Sequence, residues 1–121
     1  MKISMTSLDD LWARCVKERD RYACQRCGRS GRGRGMQAAH VFSRVKRSVR
    51  WDLDCGVTLD TGCHFWGHTH PLLFNQWAQK HLGPERYTRL LVRSQLTEKA
   101  AGVDRVAVKA YLRRRLMELG A

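Results

Sequence analysis

Acidic residues are scarce in this sequence: 11 aspartates and glutamates stand against 23 lysines and arginines, a net charge of +12 over 121 residues. That imbalance exceeds what solubility asks for and suits a polyanionic partner. No apolar run approaches the length that spans a bilayer. Met1-Lys2-Ile3-Ser4 also lacks the apolar stretch of a secretory signal, so the expectation is a soluble, intracellular protein. The five cysteines, Cys15, Cys24, Cys27, Cys55 and Cys63, are an odd number in a reduced compartment, which argues against a disulfide framework. No βαβ pattern surrounds the C-x-x-C pair, so it reads first as half a zinc site and second as a redox dithiol. There is no internal repeat. The length suits one domain over residues 1–121, with one modest core and no room for a second catalytic domain.

What is abundant is arginine, and it is concentrated. Residues 14–50 hold twelve basic side chains and two acids, a net charge of +10. A solvated basic surface would account for the charge, but arginine outnumbers lysine there, and the guanidinium fork matches phosphate oxygens as an ammonium does not. The segment Arg29-Ser30-Gly31-Arg32-Gly33-Arg34-Gly35 is a basic loop that no core would organise; it is either a phosphate-backbone contact through Arg32 and Arg34 or a linker between two short strands. A second basic segment, Val45-Lys46-Arg47-Ser48-Val49-Arg50, extends the candidate nucleic-acid surface to Arg44, Lys46, Arg47 and Arg50.

Hydrophobic periodicity orders the elements. Leu8, Leu11, Trp12, Cys15 and Val16 recur on one face, predicting a helix over residues 7–19 with Ser7 as its cap and Cys15 in the core. Residues 37–43 and 55–59 read as short strands. Thr61-Gly62 opens a helix bearing Cys63, His64 and His68, and Pro71 starts another with Leu73, Phe74, Trp77, Ala78, His81 and Leu82 inward, ending at Gly83-Pro84. Helices over 85–94 and 104–119 follow, the last striped by Val108, Tyr111, Leu112, Leu116 and Leu119, with Arg113-Arg114-Arg115 round its other faces.

The chemistry-bearing constellation is His40, then His64-Phe65-Trp66-Gly67-His68, directly after Cys63 and downstream of Cys24-Gln25-Arg26-Cys27. On a helix, His64 and His68 stand one turn apart on one face, where two imidazoles can grip one ion. Together with Ala39-His40-Val41-Phe42-Ser43-Arg44, Arg50-Trp51-Asp52 and Cys55-Gly56-Val57, this pattern resembles the HNH (ββα-metal, treble-clef) endonuclease superfamily, in particular its phage-type and NinG-like recombination nucleases. The likeness runs from about Leu8 to Leu91 and leaves the tail after Gln95 uncovered.

The resemblance implies an α+β fold: a ββα-metal core over about residues 20–70 with a zinc knuckle, a leading helix, and a helical extension over about 71–121. It implies His40 as general base, a catalytic divalent ion on His64 and His68 (Mg, Mn, Ni or Zn), and a phosphate clamp at Arg44, with Arg50 next. It also implies a structural zinc held by Cys24, Cys27 and Cys63. Three positions depart from the pattern. Ala39 stands where an acid or histidine often completes the catalytic metal site, with His70 as an alternative supplier. Cys55 stands where an asparagine braces the loop beneath the base. Asp60 stands where the second knuckle has a cysteine; it is the first choice for the fourth zinc ligand, Cys55 is the second, and a plain helix cap is the bland alternative.

The expected activity is therefore metal-dependent hydrolysis of DNA in a bacterial host cytoplasm, in phage recombination, packaging or DNA processing. The alternative is a zinc-containing nucleic-acid-binding module that has lost catalysis, as Ala39 and Cys55 would allow. A redox or zinc-storage role would leave the basic window and the three histidines unexplained.

Overall fold

The computed structural model describes residues 2–32 and 35–121 and shows a mixed α+β chain of five helices and a small antiparallel sheet. Helix α1 spans Met5–Arg19, and its cap is Ser4, whose hydroxyl accepts from the Ser7 amide at 3.1 Å. The sequence had pointed to Ser7, three residues on. Ser4 has the extended backbone a cap requires, whereas Ser7 already lies in the first turn. Leu8, Trp12, Cys15 and Val16 form the buried stripe. They pack against Trp51 and against Leu112 and Leu116 of α5 (Arg105–Glu118), and the Cys15 thiol donates to the Leu112 carbonyl at 3.2 Å. The C-terminal tail thus completes the core of the first helix.

Strands β1 (Met36–His40) and β2 (Gly56–Asp60) pair antiparallel, with Ala38 opposite Thr58 and His40 opposite Gly56. The first strand ends at His40, not at residue 43. The Val41 amide still reaches the Cys55 carbonyl at 2.7 Å, after which the chain turns away into the loop that carries Arg44 to Arg50. Both faces of the sheet are covered, which is why every residue of β2 is buried. Successive side chains alternate between the faces. Gly56 and Thr58 meet α1, where the Thr58 hydroxyl donates to the Val16 carbonyl at 3.3 Å. Val57 and Leu59 join Ala39, Cys63 and Phe74 on the other side.

A single 3-10 turn, Leu53–Cys55, leads into β2, and β2 runs without a break into α2 (Thr61–Thr69). Helices α3 (Pro71–Leu82) and α4 (Pro84–Ser94) follow, each opened by its proline and joined through Gly83 at φ +87°. On α3 the buried positions are Phe74, Ala78 and Leu82. Leu73 and His81, expected inward, are exposed, because the i, i+4, i+8 row already fills the contact with the sheet and α4. On α5, Tyr111 is likewise exposed while Leu112 and Leu116 carry the packing. No described helix is long and apolar enough to cross a membrane.

Candidate metal centre and histidine cleft

Two groups of cysteine, aspartate and histidine side chains flank α2. The first begins at the knuckle that follows α1. The Cys24 amide donates to the Arg29 carbonyl at 2.7 Å and the Gly28 amide to the Cys24 carbonyl at 2.9 Å, with Gly28 at φ +82°, where a side chain would be strained. This tight turn aims Cys24 and Cys27 at the start of α2. There Cys24, Cys27, Asp60 and Cys63 bring one ligand atom each to within 4.8 Å of one another, a cluster that could hold a metal ion such as zinc.

Asp60 serves twice with different oxygens. Oδ1 caps α2 by accepting the Cys63 amide at 2.7 Å, and Oδ2 lies 3.0 Å from the Cys27 sulfur. The Cys27 thiol and the Cys63 amide together hold its carboxyl below the ordinary range. The Arg26 guanidinium lies 3.5 Å over the Trp66 ring and donates to the Cys63 sulfur at 3.4 Å, balancing the anionic cluster from outside. Cys55 is not part of this cluster. It is fully buried in the core with Val41, Val49 and Ala78, its sulfur accepts from the Phe42 amide at 3.5 Å, and burial pushes its thiol up to about 12. The thiol braces the loop directly after His40.

The second group lines a cleft of about 850 Å³ between α1, β1, α2 and α3, where His40, Arg44, His64 and His68 meet with Asp10 and Asn75. His40 closes β1 and is half-buried. Its ring lies flat on Trp12, with centroids 4.0 Å apart and planes 10° from parallel, and its Nε2 is 3.0 Å from the Arg50 carbonyl oxygen. A carbonyl can only accept, so Nε2 carries the proton and the lone pair of the neutral ring is on Nδ1. Burial lowers the His40 pKa below its ordinary value, and the Arg50 carbonyl and the Asp9 charge only partly oppose it. The ring is therefore neutral at pH 7.

His64 and His68 present their Nε2 atoms to each other at 3.0 Å. Metal–nitrogen bonds of about 2.0–2.1 Å at a right angle place two donors about 3.0 Å apart, so the pair fits adjacent positions on one ion. The His64 Nδ1 contacts Gln37 Oε1, an acceptor that keeps the proton on Nδ1 and leaves Nε2 free to bind. Burial and the neighbouring His68 lower the His64 pKa, which keeps the imidazole neutral.

The remaining candidates separate. Arg44 lines the cleft and is exposed, as are Lys46 and Arg47. Arg50 is committed elsewhere: its guanidinium is held by the Asp9 carboxylate at 2.7 and 3.0 Å. Arg32 pairs with Glu18 at 2.9 Å and lies over Tyr22. Arg34 lies outside the described residues. His70 sits between α2 and α3 with Nδ1 near the Thr69 hydroxyl and the Trp66 carbonyl, and Ala39 is buried. Three site residues were not anticipated. In the sequence Trp12 reads as core and Asp9 carries no signal of its own, although their i, i+3 spacing puts them on one face of α1. Gln37 had no signal of its own and enters only because β1 shares a face with α2. Compared with family models, with curated proteins and with solved structures, the chain matches none.

Proposed function

We propose that the chain is a metal-dependent endonuclease of the HNH type that hydrolyses phosphodiester bonds in DNA, with β1, β2 and α2 as its ββα unit. The observation that carries this reading is the convergence of His40, His64 and His68 on one cleft, with the two helix histidines facing each other at 3.0 Å. His64 and His68 would hold a divalent ion; when bound, it supplies positive charge to the scissile phosphate and the leaving oxygen. His40 takes the proton of the attacking water on Nδ1, while Nε2–H stays on the Arg50 carbonyl. Water oxygen bonds to phosphorus, the P–O bond to the leaving strand breaks, and solvent returns a proton to that oxygen. Arg44, exposed at the cleft, binds a phosphate oxygen through its fork. Gln37 fixes the His64 ring, and the Cys24–Cys27–Asp60–Cys63 centre with structural zinc ties the knuckle to the start of the catalytic helix. The basic surface around Arg44, Lys46 and Arg47 contacts the backbone, so binding should be salt-sensitive and weakly sequence-selective. Use in phage recombination, packaging or DNA processing within a bacterial cell belongs to the same reading.

One observation favours a second reading. Ala39, buried and apolar, offers no third ligand, which suits a zinc-containing nucleic-acid-binding module without catalysis. Cleavage of supercoiled plasmid, with EDTA and with Mg²⁺, Mn²⁺, Ni²⁺ or Zn²⁺ restored, separates the two. The nuclease reading expects metal-dependent nicking that falls by roughly 10²–10⁴-fold in His40→Ala, with DNA binding retained, and that is also lost in His64→Ala. No cleavage of plasmid, branched or single-stranded DNA with any ion, by zinc-loaded protein that binds DNA, would leave the binding module.

A further inference from the structure

The loop carrying Arg50, Trp51 and Asp52 is held by α1 at three successive residues. Asp9 accepts from Arg50 Nε at 3.0 Å and Nη2 at 2.7 Å, and also from the Trp51 indole at 2.9 Å. One turn on, the Trp12 indole donates to the Asp52 carbonyl at 2.9 Å while its face covers the His40 ring. The carbonyl that accepts His40 Nε2–H is that of Arg50, in the peptide unit joining Arg50 to Trp51. Both side chains flanking that peptide therefore end on the same carboxylate. A peptide plane anchored on both sides cannot rotate its carbonyl away without breaking charge-assisted bonds. Both partners are largely enclosed, with the Arg50 side chain 12% and the Asp9 side chain 27% exposed.

Building on the nuclease reading, we propose that Asp9 is a positioning residue for the general base: by clamping Arg50 and Trp51 it aims the Arg50 carbonyl that fixes the tautomer and orientation of His40. The residue touches no reacting atom. Its effect passes through one peptide group, and Trp12 closes the other side of the ring. A neutral histidine with the proton on Nδ1 has no lone pair there, so the fraction of enzyme with Nε2 protonated sets the fraction able to act. Asp9 also places its charge near His40 from α1, while Arg44 and Arg50 face the ring from the loop.

The test is Asp9→Asn, which keeps the side-chain shape and one acceptor but gives up the charge and the two-oxygen clamp. Its two readouts are the ¹⁵N spectrum of the His40 imidazole in intact, zinc-loaded protein, assigned with His40→Ala, and plasmid cleavage across pH. The expected result is a His40 spectrum shifted toward mixed tautomers, with kcat down about tenfold and KM within about twofold. An acid limb displaced to lower pH should accompany it, because the carboxylate no longer favours the imidazolium. A His40 spectrum identical to the parent's, in a variant folded by circular dichroism, would overturn the proposal. Should Asp9→Asn fail to fold, Arg50→Lys, which cannot make the two-point contact, is read by the same spectrum and the same criterion. If the parent cleaves nothing yet the spectrum shifts, positioning stands and the nuclease reading fails; if the parent cleaves and the spectrum is unmoved, the reverse holds.

Discussion

Replacing Gly56 with alanine tests the packing beneath His40. Gly56 lies opposite His40 in the sheet, and a Cβ built there would stand 2.4 Å from Val16 Cγ2 and 2.6 Å from Trp12 Cζ2. Both neighbours are buried, and neither has free space. Val16 belongs to the α1 core, and Trp12 is trapped between the His40 ring and the Asp52 carbonyl. Relief requires α1 to move away from the sheet or Trp12 to leave its position. The glycine backbone, at φ −110° and ψ 142°, is ordinary extended chain, so alanine would gain about 0.5–1 kcal/mol in a strand without the clash. Overpacking costs about 1–3 kcal/mol, and two contacts this short with buried side chains put it at about 2–3, leaving a net loss of about 1–2.5 kcal/mol. At about 4 °C per kcal/mol for a chain of this length, Tm should fall by roughly 4–10 °C. The assay is thermal unfolding by circular dichroism at fixed zinc. Urea unfolding beside it should show a lower midpoint at unchanged m. Gly62→Ala is the control, since its Cβ would meet nothing closer than Asp60 Oδ1 at 3.7 Å. A Gly56→Ala protein melting within about 1 °C of the parent would refute the argument that Gly56 is required by the approach of α1.

Two predictions concern the sites themselves. Asp60→Ala should lose zinc to a chromophoric chelator far more readily than the parent and lose about 1 kcal/mol with the helix cap, whereas Asp60→Asn keeps a capping acceptor and shows mainly the metal defect; equal zinc retention in all three would remove Asp60 from the ligand set. On the nuclease reading, the burial that lowers the His40 pKa places the midpoint of the acid limb of the kcat profile below 6.5. The linked effect on stability has the same sign. Below about 6.5 the unfolded chain takes up a proton before the folded one, so the His40 contribution is intact above that pH and declines as pH falls toward the folded pKa. Urea midpoints of the parent and His40→Ala between pH 5 and 8 measure it, and parallel curves would contradict it.

Legibility followed the range of the interaction that carries each feature. Helices α2 to α5 and the turn at Gly83-Pro84 could be read because prolines, caps and 3.6-residue periodicity are local. The Cys24–Cys27–Asp60–Cys63 cluster, which could hold a metal ion, is readable for a related reason: cysteines at knuckle spacing have few other uses, and Asp60 stands at the start of the helix that carries Cys63. The end of β1 was misjudged because Val41, Phe42 and Ser43 have strand-like composition, and only their position beyond the partner strand stops the pairing. Arg50 falls among the candidate phosphate-binding arginines because nothing in its neighbours reveals Asp9, forty-one residues earlier.

By itself, then, the sequence determined the charge, the order of the elements, the helical spacing of His64 and His68, and which side chains were available as ligands, since all of these depend on composition and short spacings. Only the tertiary structure decided which histidine nitrogen carries the proton, that Cys55 braces a loop instead of binding metal, and that Asp9, Trp12 and Gln37 belong to the site. Those outcomes depend on β1, α1 and the loop before β2 meeting in space, and such contacts between distant residues are set by the packing of whole elements.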